Sequence, residues 1–354
     1  MMAKANPIRL GIVGLGRAGW GMQYQELRGR EKRFRVVAGC DPIRKLRDRL
    51  GAACGCRTYA RTEELLADRD VEMVSVATRS CDHFAHAKLA LQAGKHVFLE
   101  KPMTVTYAEA RQLKSLAARK KRKLFVRHNC RYEPAFTHIR EIIASGVLGE
   151  VYEVNLRRCG YARRDDWQTI KRYGGGQLLN WGPHIIDHAL RFLESPVRSL
   201  WGDLKRIAAV GDAEDHLKIV LRGRNGRVVD LEISGGAALS EPEYLVLATR
   251  GALSADTRTI TLRYLDPRRK LPPRRANPGA PGETFGEPEK LSWIEKTIPV
   301  APAEKIDMTM IWDDLYDAIR KRKRFRVSLD ESIEVMKIIS AVRKGTPFDQ
   351  GRTV

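Results

Sequence analysis

The first part of the chain is patterned in alternation. Short apolar runs rich in β-branched residues, at 8–13, 34–40, 72–77, 96–99 and 124–128, read as strands. Between them, segments at 17–27, 83–93 and 107–120 carry apolar residues at helical spacing. Strands alternating with helices predict a doubly wound parallel α/β sheet. Past residue 134 the pattern changes. A helix over 134–145 is followed by strands near 150–158, 198–208, 214–221, 227–233, 243–249 and 257–265. Hairpin signals stand at Gly223-Arg224-Asn225-Gly226 and Thr249-Arg250-Gly251. This predicts an α+β domain with a large, mostly antiparallel open sheet, one face covered by helices at 134–145 and 184–193. An apolar opposite face would be an oligomer interface. Residues 266–289, rich in Pro, Gly and Arg, form a long loop, and 305–321 and 330–344 read as two closing helices. The expected division is 1–127 and 128–354.

Composition narrows the class. At 354 residues, two domains are the default. No apolar run is long enough to span a membrane, and the N-terminus has no signal-peptide pattern, so a cytoplasmic protein is expected. The net charge is +21 and the isoelectric point near 9.9. The basic residues are scattered, with no nucleic-acid module around them, so a generally basic surface is preferred over nucleic-acid binding. The six cysteines read as reduced small residues, because no second pair or histidine cluster completes a zinc set around Cys54 and Cys56.

The first strand runs directly into Gly14-Leu15-Gly16-Arg17-Ala18-Gly19 and then a helix. This is G-x-G-x-x-G in the strand-to-helix setting that binds a dinucleotide. Gly14 makes the tight turn, Gly16 admits the pyrophosphate, and Gly19 lets helix and strand pack. Amides at the helix start, over Arg17 and Ala18, face the phosphates. The second strand ends in Asp41, placed to bond the adenosine ribose hydroxyls and to repel a 2′-phosphate. NAD is therefore expected over NADP, a preference weakened by Arg44. Thr78, Glu100 and Lys101 fall at carboxyl ends of strands, where such sheets bind ligands.

Residues 93–103, AGKHVFLEKPM, contain Glu100-Lys101-Pro102 and resemble the signature of the Gfo/Idh/MocA oxidoreductase family. Residues 78–83 resemble that family's Thr-Pro-Asn-x-x-His loop, with departures at Arg79 and Ser80. Residues 129–134 resemble its N-x-R-[FY]-x-P domain junction, and 174–188 its G-G-G…G-x-H-x-x-D segment. Members are NAD(P)-dependent dehydrogenases of sugars, inositols and related polyols. The resemblance places Thr78, His83, Glu100, Lys101 and Asn129 at the cofactor. It places Arg131, Tyr161, Arg163, Trp167 and His188 at the substrate, together with Lys101, Asn180 and His184.

The chemistry is expected between Lys101 and the stretch from Gly174 to Leu193. His184, Asp187 and His188, at i, i+3 and i+4, share one face if helical. His184 is the expected base and Lys101 the cation that stabilises a developing alkoxide. Where the family has aspartate four residues before the histidine, this chain has Asn180, which neither accepts a proton nor stabilises an imidazolium by charge. Either His184 works with Lys101 alone, or Asp187 takes the electrostatic part, or hydride transfer to a conventional polyol is impaired. No metal is expected. The reading is an NAD-dependent oxidoreductase of a secondary hydroxyl in a sugar, glycoside, inositol or sugar acid, assembled as a homodimer or homotetramer through the C-terminal sheet. The rivals are an NAD-retaining glycosidase working by transient oxidation and elimination, and a non-enzymatic NAD-binding regulator.

Overall fold

The computed structural model describes residues 6–283, 286 and 289–349. Six strands build the first sheet: β1 (Ile8–Val13), β2 (Phe34–Cys40), β3 (Arg57–Tyr59), β4 (Met73–Val76), β5 (His96–Glu100) and β6 (Leu124–Arg127). Their order is β3-β2-β1-β4-β5-β6, all parallel. The order reverses between β1 and β4, which opens a crevice at the carboxyl ends of those two strands. The four residues of β4 are all buried, as expected where helices cover both faces. The helical segment after β1 is wound as a π-helix over Arg17–Tyr24 and closes as α1 (Gln25–Leu27), a widening that the residue spacing does not announce. Further helices are α2 (Arg44–Cys54), α3 (Thr62–Ala67), α4 (His83–Gln92) and α5 (Tyr107–Arg119). Thr106 caps α5 through a reciprocal pair with Glu109.

After α6 (Pro134–Ala144), eight strands form the second sheet: β7 (Val151–Cys159), β8 (Val197–Lys205), β9 (His216–Gly223), β10 (Val228–Ser234), β11 (Tyr244–Ala248), β12 (Gly251–Ala255), β13 (Thr259–Leu265) and β14 (Trp293–Pro299). Their order is β14-β13-β12-β11-β7-β10-β9-β8, and only β7 and β10 run parallel. Period-two burial along β9 turns Leu217, Ile219 and Leu221 toward the helices. The opposite face is charged at its centre: Lys218 pairs with Asp230 and Glu232, and Arg157 with Asp230. The sequence leaves open whether this face is apolar. Two exposed large apolar side chains flank it: Trp201 on the edge strand β8, next to β9 and opposite Val220, and Trp293 on the opposite edge strand β14.

The short α7 (Gln177–Asn180) and α8 (Gly182–Leu193) cross the covered face of this sheet. α10 (Leu329–Arg343) packs on α8 on one side and on α5 and β6 on the other. It joins the two sheets into one body. Its sequence neighbour α9 (Ile311–Arg320) goes elsewhere. Trp312, fully buried, meets Phe34 and Phe98 edge-on beneath the first sheet, and its Nε1 donates to Glu26 at 2.7 Å. The chain therefore returns to the first domain after completing the second, which a single cut at residues 127 and 128 does not describe.

Candidate active site

The dinucleotide loop is shaped by what its glycines exclude. Gly14 has φ +89°, and a Cβ there would lie 2.7 Å from the Ala77 carbonyl oxygen. A Cβ on Gly19 would fall 1.9 Å from the Gly14 carbonyl oxygen, so helix and strand close only over hydrogen. Gly16 faces open space, with nothing within 4 Å of its Cβ position. That bare backbone at a helix start fits the pyrophosphate of a dinucleotide. Arg17 is exposed and Ala18 half-buried beside it. Asp41 closes β2 with one carboxylate oxygen accepting from Leu15 N at 2.9 Å and the other from Ile43 N at 2.9 Å. It thus ties the glycine loop to the end of β2. Arg44 stands exposed nearby and pairs with Asp48.

Across the crevice, Glu100 is anchored inward rather than offered to a ligand. Its Oε1 accepts from Gln23 Nε2 at 2.9 Å and from Arg127 Nη1 at 3.3 Å. His83 is buried, with Nδ1 2.7 Å from the Pro102 carbonyl oxygen and Nε2 3.3 Å from that of Thr78. It braces the turn after β5 and the loop at Thr78. Asn129 is buried with its amide toward Met308 Sδ. These partners are the protein's own, and they set the frame of the crevice.

Lys101 directly follows β5 and reaches the second domain. Its Nζ donates to the Asn180 carbonyl oxygen at 2.9 Å and lies 3.4 Å from Asn180 Oδ1. Burial pulls its ammonium below the usual lysine range. The glycines make the turn that carries Asn180. Gly176 sits at φ +104°, and a Cβ there would lie 2.1 Å from Glu214 Oε1. That oxygen accepts from Leu178 N at 3.0 Å, and burial pushes the Glu214 carboxyl up to about 7.

His184 lies in the first turn of α8, 5% exposed and with Nδ1 enclosed without a partner. Burial, then Lys101, then His128 drive its pKa well below the usual range, so it stands as a neutral base. The helix brings Asp187 and His188 to the same face but not to the same task. Asp187 accepts from Arg131 Nε at 2.7 Å and from Arg131 Nη2, so both its oxygens are occupied by one guanidinium. The option that Asp187 supports His184 by charge meets this geometry: its partner is Arg131, which also reaches Glu331. Arg131 is likewise turned to Asp187 and only 6% exposed, not at an open substrate surface. His188 is fully buried, bonded through Nε2 to the Cys130 carbonyl oxygen at 2.8 Å and stacked on Phe136 at 4.0 Å. That is a core histidine, and no substrate reaches it.

The loop before the glycines is open. Tyr161 and Arg163 are exposed and Trp167 half-exposed. Arg164 donates to Gln168 Oε1 at 2.6 Å, and Gln168 Nε2 to Asn180 Oδ1 at 3.3 Å. Gln168, Glu214 and Arg127 are site-framing residues the motifs do not flag, since each acts from a segment with no recognisable spacing. Among the described residues, no group of three or more His, Cys, Asp or Glu is placed to hold a metal ion, and no helix is long and apolar enough to cross a membrane.

Comparison with known proteins shows the family to which the two domains belong. Residues 8–128 match the GFO_IDH_MocA oxidoreductase family with its NAD-binding Rossmann fold, and residues 136–254 the GFO/IDH/MocA C-terminal domain. An uncharacterized oxidoreductase of Schizosaccharomyces pombe is 30% identical over 257 residues, covering 70% of this chain and 69% of its own. A scyllo-inositol 2-dehydrogenase (NADP(+)) of Bacillus subtilis is 37% identical over 136 residues, 38% of each chain. The crystal structure of an NAD-binding protein from Listeria innocua superposes with a TM-score of 0.79 at 25% identity, covering 95% of this chain and 94% of that one. Two matched domains spanning most of the fold make this chain a member of the Gfo/Idh/MocA oxidoreductase family and an NAD(P)-dependent dehydrogenase.

Proposed function

We propose that the protein oxidises a secondary hydroxyl of a sugar, glycoside, inositol or sugar acid, or reduces the ketone, with NAD as the favoured cofactor. The observation that carries this reading is the placement of Lys101 and His184. A buried ammonium on one domain faces a buried neutral imidazole on the other, at the mouth of the dinucleotide crevice. The nicotinamide, when bound, supplies the hydride acceptor or donor. Lys101 holds the reacting oxygen and stabilises negative charge on it. His184 takes the hydroxyl proton at Nε2, the ring nitrogen that is not enclosed. Asn180 keeps Lys101 in place without adding a negative charge, so the site works with a cation and a neutral base. The exposed Tyr161, Arg163 and Trp167 supply aromatic and charged surface suited to a hydroxylated, anionic or neutral ring.

Asp41 supports NAD over NADP, because a carboxylate at the ribose repels a 2′-phosphate. The B. subtilis relative carries NADP(+) in its name, so the cofactor is part of the proposal. A cytoplasmic setting and assembly through the outer sheet face, at Trp201 and Trp293, complete it. The test is a panel of sugars, inositols and glycosides incubated with NAD or NADP, read by absorbance of the reduced cofactor and by product identity. A keto product in step with NADH supports the reading. Aglycone release without net NADH overturns it in favour of the glycosidase, and cofactor binding without turnover on any polyol in favour of a regulator.

A further inference from the structure

His128 follows β6 at the seam of the two domains. It is 1% exposed, and neither of its ring nitrogens has a hydrogen-bond partner. The enclosed Nδ1 of His184 has none either. The two rings face edge to face, centroids 6.3 Å apart and planes at 89°. Buried imidazole nitrogens are costly to leave unpaired, and here three of them belong to two adjoining rings. The other polar groups nearby are committed elsewhere. Arg131 occupies both Asp187 oxygens, Lys101 and Gln168 meet the Asn180 carbonyl and side-chain oxygens, and Cys130 takes the His188 Nε2.

We propose that His128 is the proton relay behind His184, accepting the Nδ1 proton of His184 through one bridging water as Nε2 takes the substrate's hydroxyl proton. The inference rests on the dehydrogenase reading above and names the residue that does the work of the missing aspartate. The charges around the two rings set the direction. The charged groups that bear on His184 are Lys101 and Arg127, both cationic, with His128 and His188 as further titratable neighbours. Those that bear on His128 are Asp187 and Glu331 as well as Arg131 and Lys101. A positive charge is therefore less opposed on His128 than on His184. At rest burial keeps both rings neutral, His128 being pushed down to about 4. The step balances: the hydroxyl O–H breaks and its proton forms Nε2–H, the Nδ1–H bond breaks and its proton passes through the water to form N–H on His128, and the carbinol hydride is what a bound nicotinamide would accept. His184 ends neutral in its other tautomer and His128 ends cationic. The reverse sequence delivers the proton during ketone reduction. His128 touches no reacting atom and is a positioning residue.

The test uses the full chain labelled with 15N-histidine, as wild type and as H128F, H128Q and H184A, the last to assign the signal. Imidazole nitrogen shifts report the His184 tautomer without substrate. The expected result is an Nδ1–H tautomer of His184 in the wild type, conversion toward Nε2–H in H128F, and partial return in H128Q, whose amide oxygen accepts from Nδ1. With the polyol that turns over, H128F lowers kcat/KM roughly 10²-fold, moves the acid limb of its pH profile to lower pH, and H128Q recovers part of the loss. An Nε2–H tautomer already present in the wild type, or a kcat/KM profile that H128F leaves unchanged while K101A and H184A lose activity, overturns the relay and leaves the dehydrogenase reading standing. Retained activity in both K101A and H184A overturns that reading instead. If H128F does not fold, the wild-type tautomer alone decides.

Discussion

At the residue scale, the site is defined by an exchange of charge. Asn180 stands where the family has aspartate, and Lys101 bonds its backbone and side-chain oxygens. Restoring the carboxylate by N180D puts a negative charge within hydrogen-bond reach of the ammonium. An opposite charge at that distance favours the charged forms of Lys101 and of the adjacent base by one unit or more. The acid limb of kcat/KM is therefore expected to move to higher pH by about one unit in N180D; an unmoved limb would mean that residue 180 does not feel the titrating group. Much of this was legible in the chain. Glu100-Lys101-Pro102 and the Gly174–His184 spacing mark both halves of the site. The roles of Asp187, Arg131 and His188 were not, because spacing along a helix tells which side chains share a face and not which partner each finds across it. Arg131, contributed by the segment after β6, claims Asp187, and Phe136 and Cys130 claim His188.

At the element scale, the parallel sheet follows from its alternating pattern, and the outer sheet from its period-two strands. The strands that escape are informative. β3 has three residues, β12 is a five-residue strand straight after the Thr249-Arg250-Gly251 turn, and β14 is exposed along most of its length, so none of the three carries an apolar signature of its own. The destination of α9 is likewise invisible locally, since any amphipathic helix satisfies the pattern and it is Phe34, Phe98 and Glu26 that receive Trp312. W312A would open a large hole under the first sheet and orphan Glu26 from one partner. A loss of about 3–5 kcal/mol is expected, read as a lowered midpoint in denaturant. A shift below 1 kcal/mol would show that α9 is not part of that core. The turn at Gly176 is the second test. G176A forces a methyl against the buried Glu214 carboxyl at a positive φ, and a cost of roughly 1–3 kcal/mol is expected.

At the scale of the whole molecule, buried ionisable groups couple stability to pH. His128 is pushed down to about 4 and His188 to about 3, and His184 well below its usual range, all chiefly by burial. An unfolded chain binds protons at these histidines near pH 6.5 while the folded one does not. Stability contributed by their neutral forms is present above that pH and is lost as pH falls below it. Glu214, raised to about 7, acts in the opposite sense between its unfolded value of 4.5 and 7, and Glu133 is raised by burial too. But His83, His86 and His96 are lowered along with His128, His184 and His188, so six histidines stand against two carboxyls. Thermal midpoints are expected to fall steadily from pH 6.5 toward 4.5; a flat profile over that window would mean that the buried rings are not held neutral. The net charge of +21 adds to the acid sensitivity, because protonation adds to a charge already far from zero.

The central claim is that Lys101 and His184 act as a unit across the domain junction. It is tested most directly by a double-mutant cycle on kcat/KM for the turned-over polyol with wild type, K101A, H184A and the double variant. The account predicts losses of roughly 10²–10⁴-fold for each single change and a double variant little worse than the poorer single one. Two single variants with wild-type kcat/KM, or losses that simply multiply, would contradict it.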